Sequence, residues 1–152
     1  YTAYRIDVKG LNGGHSGMDI NIGRANANKL LVRFLNHCLY KTDMRLAEIK
    51  GGDMRNAIPR EAYAIVLIAN ADCANFEAEV AKFDGYYKSE FAATEKSITL
   101  CATKVAMPAK VVEKEIGEKI IKATFVCPHG VVRMSDSMPG LVETSNNLAI
   151  VE

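Results

Sequence analysis

The residues best suited to chemistry sit in one short segment, residues 10–23, GLNGGHSGMDINIG, where five glycines surround His15. The chain holds only three histidines, and this one falls between an alternating strand pattern and an amphipathic helix pattern. The glycine spacing is not that of a dinucleotide-binding turn. Nor is there the Lys-Ser/Thr pair that a phosphate-binding loop needs. Two uses of the segment stay open. It is either a connection whose glycines supply positive φ angles, or a loop that lets backbone approach a ligand while His15 projects from it. In the second case the imidazole can donate a hydrogen bond to a developing oxyanion.

Asn56, in GGDMRNAIPRE (51–61), is the second candidate. As a turn residue it would make a local hydrogen bond, with Pro59 fixing the exit. Held rigidly, its amide could instead meet a substrate carbonyl or carboxylate. His15 and Asn56 both follow strand patterns, so both could lie at one end of a sheet. Arg55 and Arg60 fit solvated surface charges, with contact to an anion as the alternative.

Cys127 and His129, in CPHG, are two ligands short of a zinc site, and no second pair lies nearby. His37, late in a helix pattern, fits a cation favoured by the helix dipole. There is no HExxH, no nucleophile elbow and no recognisable carboxylate pair. The chain therefore offers no metal site and no complete catalytic set.

The totals are those of an ordinary globular domain: 152 residues, 49% hydrophobic, 24% charged. A net charge of +1 gives no electrostatic case for nucleic acid or an anionic membrane. No run reaches the ~18 apolar residues of a membrane span. Four scattered cysteines without a CxxC pair suit buried thiols in a reducing compartment, so a cytoplasmic location is expected. The chain opens at Tyr1 within a strand pattern and ends at Glu152 within another, as a domain excised from a longer protein would.

The elements that must position His15 and Asn56 follow from hydrophobic spacing. Residues 2–9 alternate, with Tyr4, Ile6 and Val8 on one face. Ala27, Leu30, Leu31, Phe34, Leu35, Cys38 and Leu39 form a helical stripe, with Asp19 or Asn21 as its expected cap. Strands are expected at 44–52 and 62–70, the latter apolar on both faces, with 51–61 as a hairpin connection. A second helix over 72–92 presents Phe76, Val80, Phe83, Tyr87 and Phe91, and a strand follows with Ile98, Leu100 and Ala102 inward.

The resulting order, β-α-β-β-α-β, predicts an α+β ferredoxin-like sandwich, two helices on one face of an antiparallel four-stranded sheet. Residues 107–152 extend it with a helix over 111–124, whose expected face is Val112, Ile116, Ile120 and Ala123, and with a C-terminal strand.

Three stretches in order, GLNGGHSGMDINIGRANANKLLVRFLN, GGDMRNAIPREA and MPGLVETSNNLAIV, resemble the aminoacyl-histidine dipeptidases. These are carnosine-splitting Xaa-His peptidases of the two-zinc metallopeptidases, and the resemblance spans nearly the whole chain. It implies that residues 1–152 are a single lid domain of the dimerisation type, inserted in a catalytic domain that holds two zinc ions. Zinc would then lie outside this chain, and the chain alone would be inactive.

By position, His15 matches the lid histidine that stabilises the tetrahedral intermediate, and Asn56 the lid asparagine that contacts substrate. Implied partners are the dipeptide substrate, the chain's own catalytic domain and a second copy paired through the lid, with no nucleic acid and no membrane. In CPHG the sequence departs from the Pro-Asn-Gly expected at that turn, and His129 receives no function. The alternative is a non-catalytic ferredoxin-like module for small-molecule binding or dimerisation, with the glycine turn taking an amino acid or phosphate at the helix N-terminus.

Overall fold

The computed structural model describes all of residues 1–152. Four strands, β1 (Thr2–Lys9), β3 (Met44–Gly51), β5 (Ala62–Ile68) and β6 (Thr99–Lys104), form one antiparallel sheet in the order β3-β5-β1-β6. Helices α1 (Ala27–Cys38) and α2 (Cys73–Glu90) pack on one face. This is the expected ferredoxin-like arrangement. The alternation of β1 decides which face: Tyr4, Ile6 and Val8 are at most 1% exposed, whereas Arg5 and Asp7 lie on the open side. The second apolar face of β5 is only partly covered there. The Arg5 guanidinium lies 3.8 Å from the centre of the Tyr63 ring and pairs with Asp7.

The core joins that sheet face to an aromatic cluster. Phe34 of α1 meets Phe76 and Phe83 of α2 at ring separations of 5.9 and 5.3 Å, and Tyr4 meets Phe76 at 4.9 Å. The buried Tyr87 hydroxyl donates to the Leu30 carbonyl (2.7 Å), tying α2 to α1 through a polar tip that would otherwise be stranded.

Three sequence expectations are corrected. Helix α1 is capped by neither Asp19 nor Asn21. Ile20–Ile22 form a separate 3-10 turn ended by Gly23 at φ +79°, and the Asn26 side chain accepts from the Lys29 amide to start the helix. Asp19 is engaged elsewhere, at His15.

The third helix, α3, is Lys114–Val126 rather than 111–124, and its buried face is Gly117 and Ile121. Ile116 is 49% exposed and Ala123 exposed. A Cβ on Gly117 would lie 3.2 Å from the Leu46 Cβ, so a glycine rather than a hydrophobic stripe marks the contact with β3.

The C-terminal region is a hairpin, β7 (Gly130–Met134) and β8 (Val142–Asn146), rather than a single strand. Beyond it the chain returns as a strap, and Val151 pairs with Gly51 through two 2.9 Å backbone bonds.

Candidate functional site

Strand β1 ends beside the loop that carries His15. Within that loop Gly14–His15 form a short strand, β2, and Ala57–Ile58 form its partner, β4. Gly14 faces Ile58 and His15 faces Ala57 across this small ladder, and the Ser16 amide donates to the Asn56 carbonyl (2.9 Å). His15 and Asn56, far apart in sequence, are thereby neighbours at one end of the sheet. Gly13 permits the approach. It adopts φ +64°, and a Cβ there would meet the Ile58 carbonyl oxygen at 2.9 Å and the Arg60 side chain at 2.6 Å.

The His15 side chain is exposed, yet one of its nitrogens is committed. Nδ1 accepts hydrogen bonds from the Gly17 and Met18 amides at 3.0 and 3.2 Å. A ring nitrogen that accepts carries no proton, so the neutral imidazole is the Nε2–H tautomer, with its donor turned away from the loop. The Asp19 carboxylate accepts from the His15 backbone amide (2.8 Å), and the Asp19 amide donates to the His15 carbonyl (2.8 Å). Arg24 donates to the Gly13 carbonyl at 2.6 Å. Asn56 is exposed at the end of a turn closed by the Ala57 amide on the Met54 carbonyl, and its side-chain amide bonds to nothing within the chain.

Two supports for this loop pair were not foreseen from the sequence. Glu95, 2% exposed, accepts from the Asn12 amide (2.7 Å) and the Ala25 amide (3.0 Å), one on each flank of the His15 loop. A charged residue just past a helix carries no sequence signal for such a role. The second support is the strap. Asn147 donates to the Ala57 carbonyl (2.8 Å), and the buried Asn26 and Asn28 donate to the Leu148 carbonyl (3.0 and 3.1 Å). The density of asparagine in GRANANK and ETSNN was the available hint.

The other histidines stand apart. His37 bonds Glu79 (2.6 Å) and packs on the Phe83 ring, joining α1 to α2. His129 Nδ1 accepts from the Asn26 amide (3.1 Å); burial, with the Lys29 charge adding to it, pushes its pKa down. Lys29, its own pKa lowered by burial, donates to the Cys127 carbonyl at 2.6 Å. All four cysteines are free thiols.

No group of three or more His, Cys, Asp and Glu is placed to hold a metal ion, so these residues do not fit a two-zinc centre. Nor does a cavity enclose His15 or Asn56. A groove of about 700 Å³ on the open sheet face is lined by Arg5, Asp7, Lys50, Met54, Arg60 and Tyr63 among others, and a second, between β3, α3 and the strap, is apolar. The two candidate donors point from a surface, where a ligand meets them only if another surface closes over it. No helix is long and apolar enough to cross a membrane.

The family model described as the peptidase dimerisation domain matches residues 6–95. The cytosol non-specific dipeptidase of Escherichia coli (strain K12) is 38% identical over 151 residues, a match covering 99% of this chain and 31% of that protein. The crystal structure of aminoacylhistidine dipeptidase from Vibrio alginolyticus superposes with a TM-score of 0.94 at 40% identity, over 98% of this chain and 30% of that one. An amidase of the hydantoinase/carbamoylase family from Burkholderia multivorans shares the fold at 13% identity, with a TM-score of 0.55 over 69% of this chain and 27% of its own. The chain thus spans about a third of the length of the dipeptidases it matches.

Proposed function

This chain belongs to the peptidase dimerisation domain family, and on that premise we propose that it is the lid of a zinc-dependent dipeptidase cleaving dipeptides with a C-terminal histidine. The observation that carries the reading is the exposed pair: a histidine whose free donor is Nε2–H, beside an asparagine with an unused amide, with no cavity around either. A lid needs such groups, because it completes a site formed on another domain. Closure places fixed donors around the reacting carbonyl and expels water, strengthening each polar contact.

In this reading His15 donates to the oxygen that gains charge as the scissile carbonyl becomes tetrahedral, and Asn56 holds the substrate before and during that step. Zinc would be held by residues outside these 152, and the chain alone hydrolyses nothing. The two dipeptidase relatives bear names of different breadth, one non-specific and one for aminoacylhistidine. A panel of dipeptides therefore belongs in any test. The outer edge of β6 has no strand partner within the chain and is the edge through which two copies would pair.

Asn56 supplies the test. In the longer peptidase that carries this domain, Asn56→Ala is expected to lower kcat/KM for an Xaa-His dipeptide about tenfold in all, shared between a higher KM and a lower kcat, as loss of one hydrogen bond of about 1.5 kcal/mol would. Folding should be unaffected, since the side chain bonds to nothing in the chain. An unchanged KM and kcat would remove Asn56 from the substrate site.

A further inference from the structure

We propose that Glu95 is a positioning residue for His15, holding the imidazole at its working height by clamping both flanks of the loop; this rests on the lid reading above. Glu95 lies in the connection between α2 and β6, remote in sequence from the loop, yet its two carboxyl oxygens divide between the loop's two flanks. Oε2 takes the Asn12 amide at 2.7 Å and Oε1 takes the Ala25 amide at 3.0 Å. The neighbouring Thr94 carbonyl adds a third tie, accepting from the Asn12 side chain at 2.5 Å.

Glu95 is 2% exposed as a residue and its carboxyl group has no Lys, Arg or His within ion-pair distance. A buried carboxyl group is costly unless hydrogen-bonded. Here the two loop amides are the whole of its compensation, so the group and the loop ends hold one another. Between these anchors the chain is tied by the β2–β4 ladder, the Asp19 bonds and Arg24. With the flanks free, only these ties inside the loop would set where Nε2–H points, and displacing a catalytic donor by about 1 Å costs on the order of 10²-fold in rate.

Glutamine is the discriminating replacement. It fills the same space but has one accepting oxygen, so its NH2 must face one of the two loop amides. In the longer peptidase, Glu95→Gln is expected to lower kcat roughly 10- to 10²-fold with KM nearly unchanged. In a His15→Ala background the same substitution should lower kcat no further, because there is no donor left to misplace. In the 152-residue chain, hydrogen exchange at the Ser16 amide should quicken while exchange in β1 and β5 stays as it was.

An equal loss of kcat in the presence and absence of His15, or unchanged kcat and Ser16 exchange in Glu95→Gln, would overturn the proposal. If Glu95→Gln does not fold, Glu95→Asp, which keeps the charge but is too short to span both amides, carries the same cycle. The lid reading fails separately, if His15→Ala alone leaves kcat intact. Ser16 exchange then still reports whether Glu95 holds the loop.

Discussion

Under the lid function proposed above, replacing His15 with alanine in the peptidase that carries this domain is expected to lower kcat on an Xaa-His dipeptide about 10²–10³-fold, the usual cost of one oxyanion donor. The tautomer of the ring sets the direction. Two backbone amides occupy Nδ1, so the ring's proton stands on Nε2, facing out. A donor that engages only charge developing in the transition state changes kcat far more than KM. The fold should be indifferent, since the ring is exposed and its loss frees only the Gly17 and Met18 amides to meet water. Steady-state kinetics on purified enzyme, with circular dichroism as the folding control, check this. Near-normal kcat would leave His15 as a turn residue.

The largest effect on stability should come from Phe76. Its side chain is fully buried between the Tyr4 ring at 4.9 Å and the Phe34 ring at 5.9 Å, where sheet, α1 and α2 converge. Phe76→Ala removes a ring that backbone movement cannot replace, at a cost of about 3–5 kcal/mol. A domain of this size has a total stability of about 5–15 kcal/mol, so a large share would go. Urea unfolding of the 152-residue chain should show a much lower midpoint with an unchanged slope. A midpoint near that of the parent would mean that the sheet and the two helices are held together elsewhere.

The parts of this architecture legible in the sequence are those where one period dominates. The alternation of residues 2–9 and the stripe of Phe76, Val80, Phe83 and Tyr87 decide strand and helix, because one face of each is buried and the other wet. The failures occur where something other than a stripe decides. Helix α3 turns Gly117 toward β3, so its contact is marked by a missing side chain. Asp19 looked like a cap because it precedes a helix pattern, but tertiary structure gave its carboxylate to the His15 amide and the cap to Asn26.

Within the candidate site, the placement of His15 and Asn56 at one end of the sheet was legible because each follows a strand pattern. The ladder that joins them was not, since two-residue strands have no period to detect. Glu95 was hidden for a further reason. It acts on backbone amides of residues distant in sequence, and backbone partners leave no mark on side-chain patterns.

If His15 recognises the tetrahedral carbon's oxygen rather than the bound amide, its removal must weaken a tetrahedral mimic and spare a ground-state ligand. The decisive measurement is inhibition of the parent and His15→Ala peptidases by a phosphinic analogue of an Xaa-His dipeptide, alongside an unreactive N-methylated dipeptide. The expected result is a loss of analogue affinity matching the loss of kcat/KM, with dipeptide affinity unchanged. Equal weakening of both ligands, or of neither, would contradict a role for His15 in the transition state.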